Sequence, residues 1–187
     1  TQPYISKNII ERIDIDYDLL IGNSTIVRSF DNFVSVNMRS NVNVYTNRGV
    51  SGIEGFVSTL VGLSDEGATP KILLIGDISF KHDLNALYML NEEQVRGRNL
   101  TIIIINNFQG DIFNLLPISQ EAEFLPLLTT PHSDRFEKLV SAFEGISYAQ
   151  CEDKQDFNTK VQDAIRHIGV NIIEAVTDNR SNHELFK

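Results

Sequence analysis

Short apolar runs alternate along the chain with segments whose apolar residues recur every three or four positions. The runs are Tyr17–Gly22, Val42–Thr46, Lys71–Gly76, Leu100–Asn106, Ile146–Gln150 and Val170–Val176, each the length of a strand. Ile72 to Ile75 and Ile102 to Ile105 are unbroken in Ile and Leu, the pattern of strands covered on both faces in a parallel sheet. Helical spacing occupies Ser24–Val36, Ile53–Leu63, Phe80–Gln94, His132–Phe143 and Asp153–Ile168, and Gly169 is a fitting helix stop. Ile5–Ile13 reads as a leading helix within a linker-like stretch 1–16. This alternation predicts an α/β fold: a doubly wound, mainly parallel sheet of about six strands, helices on both faces and right-handed crossovers. Ser119–Thr130, with Pro117, Pro126 and Pro131 in or beside it, reads as a surface excursion, and residues 178–187 as a charged tail.

Composition narrows the class. With 187 residues, 42% of them hydrophobic, the chain suits one domain, 1–187, that buries about 70% of its unfolded surface without a disulfide or structural metal. A single cysteine, Cys151, the lack of a signal peptide and the lack of an apolar run near 20 residues disfavour secretion and membrane spanning, so a cytoplasmic location is expected. Twenty-five acidic against 16 basic residues give a net charge of −9, with the cations scattered, which disfavours nucleic acid as a partner. The chain opens Thr-Gln-Pro without Met and is expected to be a piece of a longer polypeptide.

In a parallel sheet, ligands bind where strands turn into helices at their carboxyl ends. Four such turns are rich in Gly, Asn, Ser and Asp: Gly22-Asn-Ser24, Thr46 to Gly52, Gly76-Asp-Ile-Ser79 and Asn106 to Gly110. Connectivity puts all four on one edge of the sheet. Each alone has a bland reading. Gly49, Gly52 and Gly55 suit a tight turn, Asp77 an N-cap, and Asn106-Asn107 ordinary turn chemistry. Together, a carboxylate at one strand end and an amide oxygen at another offer the hard oxygens that Mg²⁺ requires when diphosphate oxygens complete its shell. Ser79 would open a helix whose positive end favours a phosphate. Ser24 and Arg28, four apart at a helix start, project from one face, and the planar Arg fork suits a carboxylate. His82, His132, His167, His183 and Cys151 read as surface, capping or inert residues.

Gly76-Asp77 followed by Asn106-Asn107, with 27 residues between Ile78 and Asn106, resembles the thiamine diphosphate motif, in which Gly-Asp-Gly and Asn-Asn are separated by just under thirty residues. Ile78 replaces the third glycine. That variant, with Asp83-Leu-Asn-Ala-Leu87, Gly22 to Arg28, Tyr45 to Gly55 and Ile112 to Pro117, is similar to one branch, the menaquinone-biosynthesis synthases known as MenD. The resemblance runs from about Ile5 to Val176 and is strongest between Gly22 and Pro117.

It implies the C-terminal diphosphate-binding domain of a transferase that takes thiamine diphosphate and Mg²⁺ or Mn²⁺. Such an enzyme decarboxylates 2-oxoglutarate and adds the resulting carbanion to isochorismate. By the resemblance, Asp77, Asn107 and the backbone carbonyl of Gln109 hold the metal. Gln109 stands where the family has glycine, so strained dihedrals are expected there. Gly52, Gly76, Ser79, Asn107 and Ile112 contact the cofactor and Ile53 props it. Ser24, Arg28 and Arg48 bind anionic substrate beside an apolar wall of Ile112, Phe113 and Leu116. The activating glutamate is expected from an N-terminal pyrimidine-binding domain of a partner subunit in a homo-oligomer, since Glu54 and Glu66 lie in or after the propping segment. The chain alone is expected to be inactive. Two alternatives stay open: a domain of another thiamine diphosphate-dependent 2-oxoacid decarboxylase or carboligase, and a non-catalytic diphosphate-binding or assembly domain.

Overall fold

The computed structural model describes residues 1–35, 41–64 and 69–186. The expected helix end at Val36, and Glu66, lie outside these. Six strands, β1 (Tyr17–Ile21), β2 (Val42–Thr46), β3 (Lys71–Gly76), β4 (Asn99–Asn106), β5 (Ile146–Cys151) and β6 (Gly169–Val176), form one sheet in the order β2-β1-β3-β4-β6-β5. Every pairing is parallel. The Ile-rich runs occupy the middle of the sheet, and all eight β4 residues are buried.

Alternate residues of these strands serve two cores. Leu19, Ile21, Ile72, Leu74, Ile103 and Ile105 face α1 (Gln2–Arg12), α2 (Thr25–Phe33) and α9 (Lys154–Arg166). Leu20, Leu73, Ile75, Ile102 and Ile104 face the other layer, with Phe56, Leu60, Phe80, Leu87 and Phe136. The period of two in each strand thus fills both faces. The leading helix is part of the first core, with Ile5, Ile9, Ile10 and Ile13 buried.

Helices on the second face are shorter than their spacing predicts, for reasons that shape the site. The helix expected from Ile53 starts three residues later as α3 (Phe56–Leu63), because Gly55 takes a left-handed φ of 83°. The helix expected over Phe80–Gln94 divides into α4 (Asp77–His82), a 3-10 turn at Leu84–Ala86, α5 (Leu87–Leu90) and α6 (Glu93–Arg96). Asp83 sits at the break, its carboxylate drawn away to α3. It accepts from Gly55 N at 2.5 Å and Val57 N at 2.9 Å, so it caps a helix far from it in sequence. Within the span expected as a helix from His132 to Phe143, only α8 (Glu137–Val140) is α-helical, because His132 and Asp134 are bonded to Asp77, Phe108 and Lys81, which lie in or behind the cleft described below. The surface excursion carries α7 (Leu125–Thr129), and the expected tail folds as α10 (Asn179–Phe186). Phe186 of α10 meets Phe33 edge-on, ring centroids 5.4 Å apart.

Candidate functional site

Strand order reverses between β1 and β3: the chain leaves β1 toward β2 on one side and leaves β3 toward β4 on the other. The crevice outside their carboxyl ends is where an open α/β sheet receives ligands. Here it is a cleft of about 500 Å³. Gly22 lets the two strands close up at this point, since a Cβ on it would lie 3.1 Å from Leu74 O.

All four polar turns reach the cleft. Ser24, Arg28, Arg48, Ile53, Gly76, Asp77, Ser79, Asn107, Gln109, Ile112 and Phe113 line it. Two residues expected there do not. Gly52 lies behind it, its carbonyl accepting from Asn23 Nδ2 at 2.7 Å. Leu116 is 45% exposed where the chain leaves a 3-10 turn at Asp111–Leu115 toward Pro117, so it points out of the wall that Ile112 and Phe113 form.

Asp77 is only 2% exposed. Its Oδ1 accepts from Ile78 N at 2.8 Å, and its Oδ2 lies 3.1 Å from His132 Nε2. Burial raises its pKa above the ordinary carboxylate value, opposed by the N–H groups of Ile78 and Phe108 and by His132. Asn107 is held by a two-way amide pair: its Nδ2 donates to Asn179 Oδ1 at 2.7 Å, and Asn179 Nδ2 donates back to Asn107 O at 2.8 Å. Asn106, wholly buried, anchors the same loop by donating to Glu174 Oε1 and Asp134 O and accepting from Phe108 N.

Gln109 escapes the expected strain. The left-handed residue of this loop is its neighbour Phe108, at φ 64°, so the backbone at position 109 does not call for glycine. Ser24, Ser51 and Thr130, at φ 67°, 60° and 44°, line the same cleft. These are the four non-glycine residues with positive φ among the described residues, and each costs roughly 1–3 kcal/mol, strain of the kind that gathers at functional sites.

The cleft's cations are fixed from below. Arg48 donates to Asn23 Oδ1 at 2.8 Å, while Arg28 donates to Ser24 O at 2.7 Å along its own helix. Among the described residues, the carboxylates lining the cleft are Asp77 and Asp111, and Asp111 already accepts from Asn114 at 2.8 Å. No cluster of three or more His, Cys, Asp or Glu side chains able to hold a metal occurs among the described residues. A metal here would need a mixed set of carboxylate, amide and carbonyl oxygens. Asp77, Asn107 and Gln109 offer that set, and Asn107 Oδ1 has no hydrogen-bond partner among the described residues.

No family model matches the chain. It is 36% identical over 184 residues, 96% of its length, to the 2-succinyl-5-enolpyruvyl-6-hydroxy-3-cyclohexene-1-carboxylate synthase of Shewanella halifaxensis. The match to the protein of the same name from Rubrobacter xylanophilus is 34% over 188 residues, 100% of this chain. The chain is a domain of this synthase family. It spans about a third of the length of these relatives, 31% and 32%. The crystal structure of benzoylformate decarboxylase from Polynucleobacter necessarius shares the fold, with a TM-score of 0.72 over 95% of this chain and 32% of that one, at 16% identity.

Within this synthase-family domain, three side chains that hold the cleft together carry no local signal in the sequence. His132 reads as a surface or capping residue, yet its side chain is 7% exposed against Asp77. Asn179 falls in the expected tail, and Glu174 sits within an apolar strand. Each acts on a loop more than fifty residues away. Asp83 stands in a stretch that carries the family resemblance, but its capping role follows from how α4 lies against α3.

Proposed function

We propose that this chain is the diphosphate-binding domain of a thiamine diphosphate-dependent synthase that joins 2-oxoglutarate, with loss of CO₂, to isochorismate. The observation that carries the reading is the buried Asp77 carboxylate in the same cleft as Asn107, whose bonds to Asn179 use its Nδ2 and backbone oxygen and leave Oδ1 over among the described residues, at the reversal of strand order. Asp77, Asn107 and the Gln109 carbonyl would hold Mg²⁺ or Mn²⁺, an all-oxygen set that suits a hard cation bridging to diphosphate. Ser79 and Gly76 would line the diphosphate, with Ile53 and Ile112 against the rings and Gly52 buttressing the loop. Bound there, the cofactor would supply the nucleophilic carbon and the electron sink for decarboxylation.

This chain's own residues bind, orient and exclude water. Arg28 and Arg48 would pair with substrate carboxylates beside Ser24, and Ile112 and Phe113 would shield the apolar side. No glutamate lines the cleft among the described residues, and Glu54 turns onto its own loop, accepting from Ile53 N at 3.0 Å. On this reading the activating glutamate would come from a second domain, supplied by a partner subunit of a homo-oligomer in the cytoplasm. Among the described residues, no helix is long and apolar enough to cross a membrane.

The test is calorimetry of thiamine diphosphate with Mg²⁺ on the full-length protein and its Asp77→Ala variant. Loss of metal-dependent binding with the fold intact is expected, and unchanged affinity would overturn the metal assignment. Arg28→Ala should raise the substrate KM and leave cofactor affinity in place. The opposite pattern would move Arg28 to the diphosphate.

A further inference from the structure

Asp77 does not stand alone behind the cleft. His132 Nδ1 accepts the backbone N–H of Asp134 at 3.1 Å, so the ring's proton is on Nε2, the atom 3.1 Å from Asp77 Oδ2. The imidazole can only donate to the carboxylate. Asp134 is tied in turn to Lys81 by an ion pair at 2.5 Å, and Lys81 lies four residues after Asp77 on α4. The ring closes as Asp77, His132, Asp134, Lys81 and back to α4. A further bond, from His132 N to Phe108 O at 2.9 Å, fastens the same segment to the loop that carries Asn107 and Gln109. The side chains of His132 and Asp77 are 7% and 3% exposed, so water does not replace this donor.

We infer that His132 is a positioning residue for the metal site: its Nε2–H fixes the rotation of the Asp77 carboxylate, and its backbone sets the distance between the two loops that carry the metal's oxygen donors. This rests on the assignment of Asp77 and Asn107 to a divalent cation. Carboxylates that bind metals are themselves held by hydrogen bonds, and loss of such a partner costs about 10–100-fold in metal affinity. Ile78 N–H holds only one oxygen of Asp77. Without the imidazole the other keeps at most the Phe108 N–H, which is already given to Asn106 Oδ1 at 3.0 Å, and the carboxylate is freer to turn about its last bond.

Two substitutions separate positioning from mere support of the fold. In His132→Asn the amide oxygen lies where Nδ1 was and still accepts from Asp134 N, but nothing reaches Asp77. In His132→Gln the amide extends far enough to donate to Asp77. The readout is the Mn²⁺ dissociation constant of the full-length protein with saturating thiamine diphosphate, from the paramagnetic resonance signal of free Mn²⁺. His132→Asn is expected to weaken Mn²⁺ at least 10-fold and His132→Gln less than about 3-fold, with metal-free thermal midpoints alike. An unchanged constant in His132→Asn, or equal weakening in both, would overturn the inference. If His132→Asn shows no folding transition, His132→Gln decides alone: a 10-fold loss there overturns the donor role, and near-native affinity supports it. Asp77→Ala is the control. If it leaves Mn²⁺ binding intact, the metal reading itself fails, whereas loss in Asp77→Ala with no effect of His132→Asn removes only the role given to His132.

Discussion

Asp83→Ala removes the side chain that joins the loop after β2 to the helix after β3. The Asp83 carboxylate, 6% exposed, accepts from Gly55 N at 2.5 Å and Val57 N at 2.9 Å. With Ala, the half-buried Gly55 amide can turn to water. Val57, 0% exposed, cannot, and an unsatisfied buried N–H costs about 1–3 kcal/mol. That loss corresponds to roughly 2–12 °C in Tm for a domain of this size. Asp83→Asn keeps one acceptor oxygen and should lose about half as much. Urea unfolding followed by far-UV circular dichroism measures both. A loss below about 1 kcal/mol for Asp83→Ala, or equal losses for the two variants, would show that α3 does not depend on this cap.

Glu174, wholly buried, accepts from Asn106, Phe136 N and Tyr148, while Arg135 approaches it only to 3.5 Å and is 46% exposed. Glu174→Ala should therefore destabilise by about 3 kcal/mol or more and Arg135→Ala by less than about 1, as read in urea midpoints. Asn179→Ala should leave stability within about 1 kcal/mol yet weaken Mn²⁺ binding in the full-length protein, because Asn107 loses the partner that holds its amide. Burial pushes the Cys151 thiol up to about 12, so at pH 8 only about one part in ten thousand is thiolate, and iodoacetamide should label it far more slowly than free cysteine.

The strands and their parallel class were legible because each run of Ile, Leu and Val carries its own signal: a buried β4 needs apolar residues on both faces whatever its neighbours are. The four polar turns were legible for a related reason, since connectivity alone puts their strand ends on one edge. Helix lengths were not. Asp83 and His132 each stand within helical spacing, and each is taken out of a helix by a group distant in sequence, Val57 N in one case and Asp77 in the other. At Gln109 the sequence pointed to strain, but the path of the loop moved the left-handed residue to Phe108. Only the tertiary structure pairs Asn107 with Asn179, 72 positions away, and makes a support for the Asn107 loop of what the sequence offered as a tail. Periodicity and turn chemistry are local and survive in the sequence. A hydrogen bond between distant loops depends on strand order and on how helices lie across the sheet, and no single residue encodes either.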